Sequence, residues 1–424
     1  MKITDFLLAE VEIGFKEYSK YVLFSRAIPS IVDGFKPGQR KIVYTAGLDG
    51  KFHKTAAFAG KVISLANYHH GPTSLESTIN GMAAKWNNNV NFMEGDGAFG
   101  SRLVPDAASP RYTSCRLSSN FAKYYPKEDN PILPKCEDHL DPEPKFYVPT
   151  IPTVLLNGIK GISVGFATNI FPYDVKEVTS IVKKIIKHKK LPTTLVPHFP
   201  EFKGTVVREP DSNSIVCTGL YTRKGNTIHI TELPPGITRE KYLQHLDNLY
   251  QKSKITSYDD LCDKSGFKFK IRIKGELDIL KTFKLSKKYT ENITVISSLD
   301  KVKTYVNPVD VIVDFVEFRL KFYEKRKEFL INKYNVEIVD ILNMLRFVKA
   351  VVNNEIIFKH KTKDQLTLEL ENDNYININK LLSMQILSLT DDMIQKLQQR
   401  HDETIQYLKT TKGTSIDDMY LKEI

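Results

Sequence analysis

From Val309 onward, apolar residues recur in steps of four and three: Val309, Val313, Val316, Leu320, Tyr323, Lys327, Leu330, Tyr334, Glu337, Ile341, Met344, Val348 and Val351. Only Lys327 and Glu337 interrupt the seam. A spacing of about 3.5 residues keeps such a seam on one side of a supercoiled helix, so the pattern predicts a coiled coil. The residues between, as in EFRLKFYEKRKEF, predict a charged outer surface. A second, shorter helical stretch, TDDMIQKLQQRHDETIQYLKT, is suited to return antiparallel. The plainer alternative is a helical hairpin packed into a larger core.

The pattern before this helix is different. IPTVLLNG, KGTVVREP, SIVCTGLYT, NTIHITELP, KFKIRIKG and NITVISSL are runs rich in β-branched residues and bounded by Gly, Asn and Pro. They predict strands, with a helix near Arg239–Tyr250. Residues 1–145 carry short helical patterns broken by turns and Gly-rich loops. The Pro-rich stretch from Pro126 through Pro152 reads as a connector, because each proline biases its predecessor towards extended backbone. The expected fold class is α+β, divided at 1–145, 146–308 and 309–424.

Charge narrows the field of partners. The 424 residues carry a formal net charge of +11, which favours a polyanion, since each phosphate met by Lys or Arg releases condensed counterions. Cys115, Cys136, Cys217 and Cys262 are scattered, with no C-x-x-C pair, so neither structural zinc nor a disulfide framework is expected. The first residues lack the order of a signal peptide, and no apolar run reaches the roughly 20 residues of a membrane span. An intracellular protein without a membrane partner is expected. There is no phosphate-binding G-x-x-x-x-G-K-[ST] loop and no H-E-x-x-H. Phosphoryl chemistry here would need a metal from elsewhere.

Four local features carry candidate chemistry. FKPGQRK sets Lys36, Arg40 and Lys41 beside a Pro-Gly turn that leads into a helix, an arrangement suited to phosphate. YHHG, with His69 and His70, is a turn before a second helix that starts at Thr73-Ser74-Leu75-Glu76 and runs to Trp86. Two helices so joined resemble a helix-turn-helix. GDGAFGSR is glycine-rich enough to let backbone approach a phosphate. PRYT places Tyr112 beside the guanidinium of Arg111, which suits a phenolic nucleophile next to donors for a phosphoryl transition state. A phenol ordinarily titrates near about 10, so a cation or metal must assist its deprotonation. Cys115 reads as packing. Each feature alone is commonplace.

Their order is not. IPSIVDGFKPGQRK, AGKV, YHHG, GDGAFGSR, DAASPRYTSCRL and IPTVLLNGIKGISVGFATNI together resemble the breakage–reunion region of type IIA DNA topoisomerases. The resemblance continues through FPEFKGTVV, HITELPPGITREKY, VDVIVDFVEFRLKFYEKRKEFL and KLLSMQILSLT, covering the chain from about Tyr18 onward. VDGFKPGQRK and YHHG look more like the eukaryotic and viral branch than like gyrase, and a separate chain of this length is most similar to the T4-type bacteriophage subunits.

That resemblance implies a winged-helix DNA-gate domain, an α/β tower domain and a long antiparallel coiled coil ending in a dimer gate. It implies that Tyr112 is the nucleophile, Arg111 its catalytic neighbour and His70 a histidine near the scissile phosphate. Arg26, Lys36, Gln39, Arg40, Lys41 and His69 would line the DNA groove, and Ile162 would wedge between base steps. Gln39 stands where gyrases have His, and Asp96 and Ala98 replace the more usual Gln and Asn of the Gly-rich loop. It further implies double-stranded DNA as substrate, a homodimer of this chain, and a large subunit whose Toprim and ATPase domains bind Mg2+ and ATP. No metal site is expected on this chain, and the compartment would be the cytoplasm of a bacterial host. The rival expectation is a non-catalytic, dimeric winged-helix DNA-binding protein. It accounts for the charge and the helix-turn-helix pattern but not for Arg111-Tyr112 in this setting.

Overall fold

The computed structural model describes residues 3–210, 212–385 and 389–424, with side chains from Val11 onward. Residues 386–388 of KLLSMQILSLT lie outside the described residues. Two compact units emerge, one reaching to Arg319 and the other formed by Leu320–Glu423.

The first unit begins with helix α1 (Ile3–Val22), which runs into a π-helical turn at Leu23–Ala27. Helix α2 (Pro37–Gly47) starts on the Lys36-Pro37 signal: proline suits the first helical position, and the Lys36 amide donates to Gln39 Oε1 at 2.9 Å. Strand β1 (His53–Lys54) leads into α3 (Thr55–Leu65), and a short turn through His69 and His70 leads into α4 (Pro72–Ala83). Pro72, not a Thr or Ser cap, opens α4. It buries Leu75, Ile79, Met82 and Ala83, the spacing of a one-sided helix. Strands β2 (Met93–Asp96) and β3 (Ser114–Leu117) complete an antiparallel sheet in the order β1-β3-β2, with His53 opposite Cys115 and Met93 opposite Leu117. An aromatic cluster lies behind it. Phe35 packs edge-on to Phe92 at 5.6 Å between ring centroids, and Phe121 stacks on Tyr125 at 4.4 Å.

One expected strand is absent. IPTVLLNG folds as a 3-10 turn, Thr153–Leu155, with residues 151–156 all buried. An apolar run without alternation does not distinguish a buried strand from another buried segment, and here the Pro152 and Asn157-Gly158 boundaries confine it to a turn. A hairpin follows, β4 (Ile159–Ile162) paired with β5 (Ala167–Ile170). The remaining expected runs do form strands, and two strands that the pattern does not predict, Ile255–Asp260 and Ser286–Thr290, join them in their sheets. Thr205–Arg208, Ser214–Thr218 and Ser286–Thr290 make a three-stranded sheet, and Tyr221–Lys224, Thr227–Ile230, Ile255–Asp260 and Phe269–Ile273 make a four-stranded one. Ile228, Ile230, Phe269, Ile271 and Ile273 alternate onto one face of the second sheet. They pack there with Tyr242, Leu246 and Leu249 of the helix Arg239–Gln251.

The seam that begins at Val309 lies on a single 45-residue helix, Pro308–Val352. The charged stretch on it departs from expectation. Arg319 is 0% exposed and donates to Asp129 at 2.7 Å, and Arg326, 2% exposed, pairs with Glu423 and lies over the Tyr323 ring. A guanidinium tolerates burial when a carboxylate and an aromatic face receive it, so residues that read as surface belong to the interior. In the second unit, the helix Asp391–Gly413 runs antiparallel to the long helix. Lys327 donates to the Lys412 and Thr414 carbonyls, the Tyr334 and Tyr407 rings stack, and Arg400 pairs with Glu337 at 2.5 Å. Ile341, Leu345, Phe347 and Val348 share a core with Leu370, Tyr375 and Leu397.

Candidate nucleophile and nucleic-acid cleft

Tyr112 stands on the loop between β2 and β3 and is 70% exposed. Its own amide closes a tight turn onto the Ser109 carbonyl at 2.8 Å. Next to it, Arg111 donates through Nε to Ser109 Oγ at 3.3 Å, with its guanidinium carbon 5.7 Å from the centre of the Tyr112 ring. No other protein group among the described residues holds the terminal guanidinium nitrogens, so they are available to an anion beside the phenol. Cys115 is fully buried, and burial pushes its thiol up to about 12, which makes it an inert packing residue.

The Gly-rich loop supports Tyr112 from behind. A methyl group on Gly95 would collide with the Phe99 ring, and one on Gly100 with the Pro105 carbonyl. The glycines therefore permit close internal packing. Gly97, at φ +110°, lies against Thr113 and the Tyr112 carbonyl, and the Ala108 amide donates to Ala98 O at 2.9 Å. Arg102, at the end of the loop, is tied to Glu232 at 2.9 Å and to the Leu233 carbonyl, and it lies over the Phe202 and Phe267 rings. It fastens the loop to the β-rich part of the unit.

A cleft of about 490 Å³ gathers Arg26, Lys36, Gln39, His70 and Ile162. Tyr112 and Arg111 are not among its lining residues. Arg26 is exposed on the π-helical turn, and His70 packs edge-on to Tyr68 at 5.3 Å. Partial burial, then the positive charges of Arg26 and His69, hold the His70 pKa below its ordinary value. Ile162 stands at the end of β4 with 87% of its surface exposed. Val164 and Phe166 of the same hairpin are exposed as well. Sequence reading missed Ser74 and Thr78, which line the cleft from α4. The signal was there, because the two are four residues apart and so share one helical stripe, about 100° round from the buried Leu75 and Ile79.

The hairpin bearing Ile162 is held closely. Lys36 Nζ donates to the Lys160 carbonyl at 2.6 Å, and a methyl at Gly161 would collide with the Ala27 carbonyl oxygen of the π-helical turn. The Lys36 side chain thus fixes the hairpin. Arg40 and Lys41 also depart from the expected outward display. Arg40 Nε lies 2.6 Å from Asp33, which is 0% exposed, and burial and Asp33 together control the guanidinium, with a net raised pKa. Lys41 Nζ lies 2.7 Å from both Asp141 and Glu143. Both cations are neutralised internally, so helix α2 turns its basic residues towards the core. His69 is exposed beside them.

Cys136, Asp141 and Glu143 are the only described group of His, Cys, Asp and Glu side chains close enough to share an ion. The Lys41 ammonium already bonds both carboxylates, so this cluster does not fit a catalytic magnesium. Among the described residues no helix is long and apolar enough to cross a membrane.

An exposed tyrosine with an adjacent arginine, a basic cleft with an apolar tip, and a long antiparallel helix pair together fit a protein that breaks and rejoins DNA. The family model for the A-type subunits of DNA gyrase and topoisomerase IV matches residues 26–424, and the chain belongs to that family, the type II DNA topoisomerases. It is 38% identical to the DNA topoisomerase medium subunit of Enterobacteria phage T4, across 96% of each chain. It is 33% identical to DNA topoisomerase 2 of Plasmodium falciparum over 96% of this chain, and spans about a third of that protein (33%). The solved DNA-binding, cleavage and re-ligation domain of Plasmodium falciparum topoisomerase II superposes with a TM-score of 0.89 at 30% identity, covering 97% of this chain and 62% of that one.

Proposed function

We propose that this chain is the breakage-and-rejoining subunit of a type IIA topoisomerase, with Tyr112 as the nucleophile. The observation that carries the reading is the pairing of an exposed phenol with a neighbouring guanidinium whose terminal nitrogens have no partner among the described residues. The phenolic oxygen attacks a backbone phosphorus, the bond to the 3′-oxygen breaks, and the 5′-phosphotyrosyl ester keeps the energy of the broken bond. Religation is the reverse and needs no ATP. Arg111 stabilises the charge on the phosphoryl oxygens in both directions. His70 sits near the scissile phosphate, Arg26 and His69 meet the backbone, and Ile162 wedges between base steps. Lys36 and Gln39 act on the floor of the same cleft. Magnesium, held by a partner protein, would stabilise charge on the 3′-oxygen.

In this reading α2–α4 with the sheet β1-β3-β2 is a winged-helix DNA-gate domain, residues 146–308 are the tower, and 309–424 form a coiled coil with a dimer gate. Two copies bend one duplex, and each tyrosine cuts one strand. A large subunit bearing Toprim and ATPase domains supplies Mg2+ and ATP, in the cytoplasm of a bacterial host if the gene is a phage's. The non-catalytic alternative leaves Arg111-Tyr112 without a purpose. Covalent-complex trapping tests the division of labour, using the purified chain with and without its partner, magnesium and a chelator. Cleavage is expected only with partner and magnesium together. Robust magnesium-dependent cleavage by the chain alone would contradict the partition.

A further inference from the structure

Helix α3 has no side-chain cap at its N-terminus. Its first donors are met instead by the loop that carries Tyr112. The Thr55 amide donates to the Thr113 carbonyl at 3.0 Å, and the Ala56 amide to the Pro110 carbonyl at 3.2 Å. Helix ends leave such amides without internal partners, so this loop acts as the cap. Beneath the backbone contacts the hydroxyls of Thr55 and Thr113 meet at 2.8 Å, and both residues are 0% exposed. Gly97 closes the other side, with the position of its absent Cβ 3.4 Å from Thr113 Cα and 3.5 Å from the Tyr112 carbonyl oxygen. The residue after Tyr112 is therefore gripped from two sides while the Tyr112 ring stands free.

We propose that Thr55 and Thr113 are a positioning pair that fixes the backbone from which Tyr112 reaches the DNA. The inference rests on the reading of Tyr112 as nucleophile. It follows from the chemistry of buried hydroxyls. Each of these two satisfies the other where no water reaches, so removing one leaves its partner unmatched, and the loop must move to re-pair it. A misplacement of about 1 Å at a reacting atom can cost on the order of 10²-fold in rate. Binding of DNA to the cleft and the basic surface does not depend on this pair. The α3 strut also links the Tyr112 loop to the His69–His70 turn, so the pair ties the nucleophile to the cleft.

The test uses single-turnover formation of the covalent adduct, measured beside DNA affinity, by the complex reconstituted from this chain, its large partner and magnesium. Thr55→Val and Thr113→Val keep the side-chain shape and remove one hydroxyl each. Each is expected to lose roughly tenfold to a hundredfold in cleavage rate, with DNA affinity unchanged. The double variant, which leaves no orphan hydroxyl, is expected to lose no more than the worse single one, and Thr113→Ser is expected to keep the parent rate. Parent cleavage rates in both Val variants, additive losses, or a matching loss of DNA affinity would overturn the proposal. Should a single Val variant fail to fold, the double variant and Thr113→Ser carry the same test. Tyr112→Phe, run alongside, separates the two readings. An adduct in that variant removes the nucleophile itself, whereas its absence with unchanged rates in the Val variants removes only the positioning pair.

Discussion

Asp33 shows how a short motif can be misread at the level of single residues. Its carboxylate receives Arg40 at 2.6 and 3.1 Å and the Phe35 and Tyr147 amides at 3.0 and 3.2 Å, all in the interior. Arg40→Ala would leave that carboxylate buried with its cation gone. The expected cost is about 3–5 kcal/mol of stability, read as a fall in the unfolding midpoint, and a loss confined to DNA affinity would contradict it. In VDGFKPGQRK the sequence displayed three cations and one aspartate. It did not display Asp141 and Glu143, a hundred residues on, which receive Lys41. Long-range pairing of this kind has no local signature. Tyr112 was singled out by the order of motifs along the chain, since Arg111-Tyr112 by itself is a commonplace pair. His70 gives a pH test at the same scale. Its folded pKa lies below the ordinary 6.5, so the contribution to stability is present above 6.5 and is lost as pH falls through the folded value. Proton-detected titration should place its midpoint below that of an exposed histidine, and Arg26→Ala should raise it. A midpoint at the ordinary value, insensitive to Arg26, would refute the electrostatic account.

Whole elements were easier to read than their partners. The pattern gave most strands between residues 205 and 296, though not Ile255–Asp260 or Ser286–Thr290, and the apolar seam gave the long helix, because both periods are local properties of the chain. The segment 151–158 failed because burial on every side erases periodicity. The β4–β5 hairpin shows what an element adds beyond its residues: Gly161 lets it press against the Ala27 carbonyl while Lys36 holds the Lys160 carbonyl. Ile162→Ala should therefore reduce bending of a bound duplex, since an apolar wedge offsets the cost of unstacking. Gly161→Ala should reduce it as well, by moving the hairpin while Ile162 is still present. Energy transfer between labelled DNA ends reports both, and equal bending in all three proteins would place Ile162 outside the interface.

At the scale of the whole molecule, the division at Arg319 falls inside a helix that the sequence assigned to one domain. Buried Arg319 and Arg326 mark that stretch as interior, a feature that charge alone concealed. Further along, Val336, Val339 and Leu342 are 65%, 53% and 45% exposed on the same helix. Such an apolar stripe suits a second copy of the chain. The chain is expected to sediment as a dimer at micromolar concentration, and Val339→Asp with Leu342→Asp to weaken that dimer without altering its circular dichroism. A monomeric parent chain would contradict the two-fold arrangement that double-strand cleavage requires.

The central claim is that Tyr112 forms the bond to DNA, and one measurement addresses it directly. The reconstituted complex is incubated with end-labelled duplex and magnesium, denatured, and scored for label that stays with the protein, for the parent chain and for Tyr112→Phe. Only the phenolic oxygen differs between the two side chains. The account predicts a stable adduct in the parent, mapping to the peptide that contains Tyr112, and none in the Phe variant, with DNA binding nearly equal in both. An adduct that persists in Tyr112→Phe would contradict it.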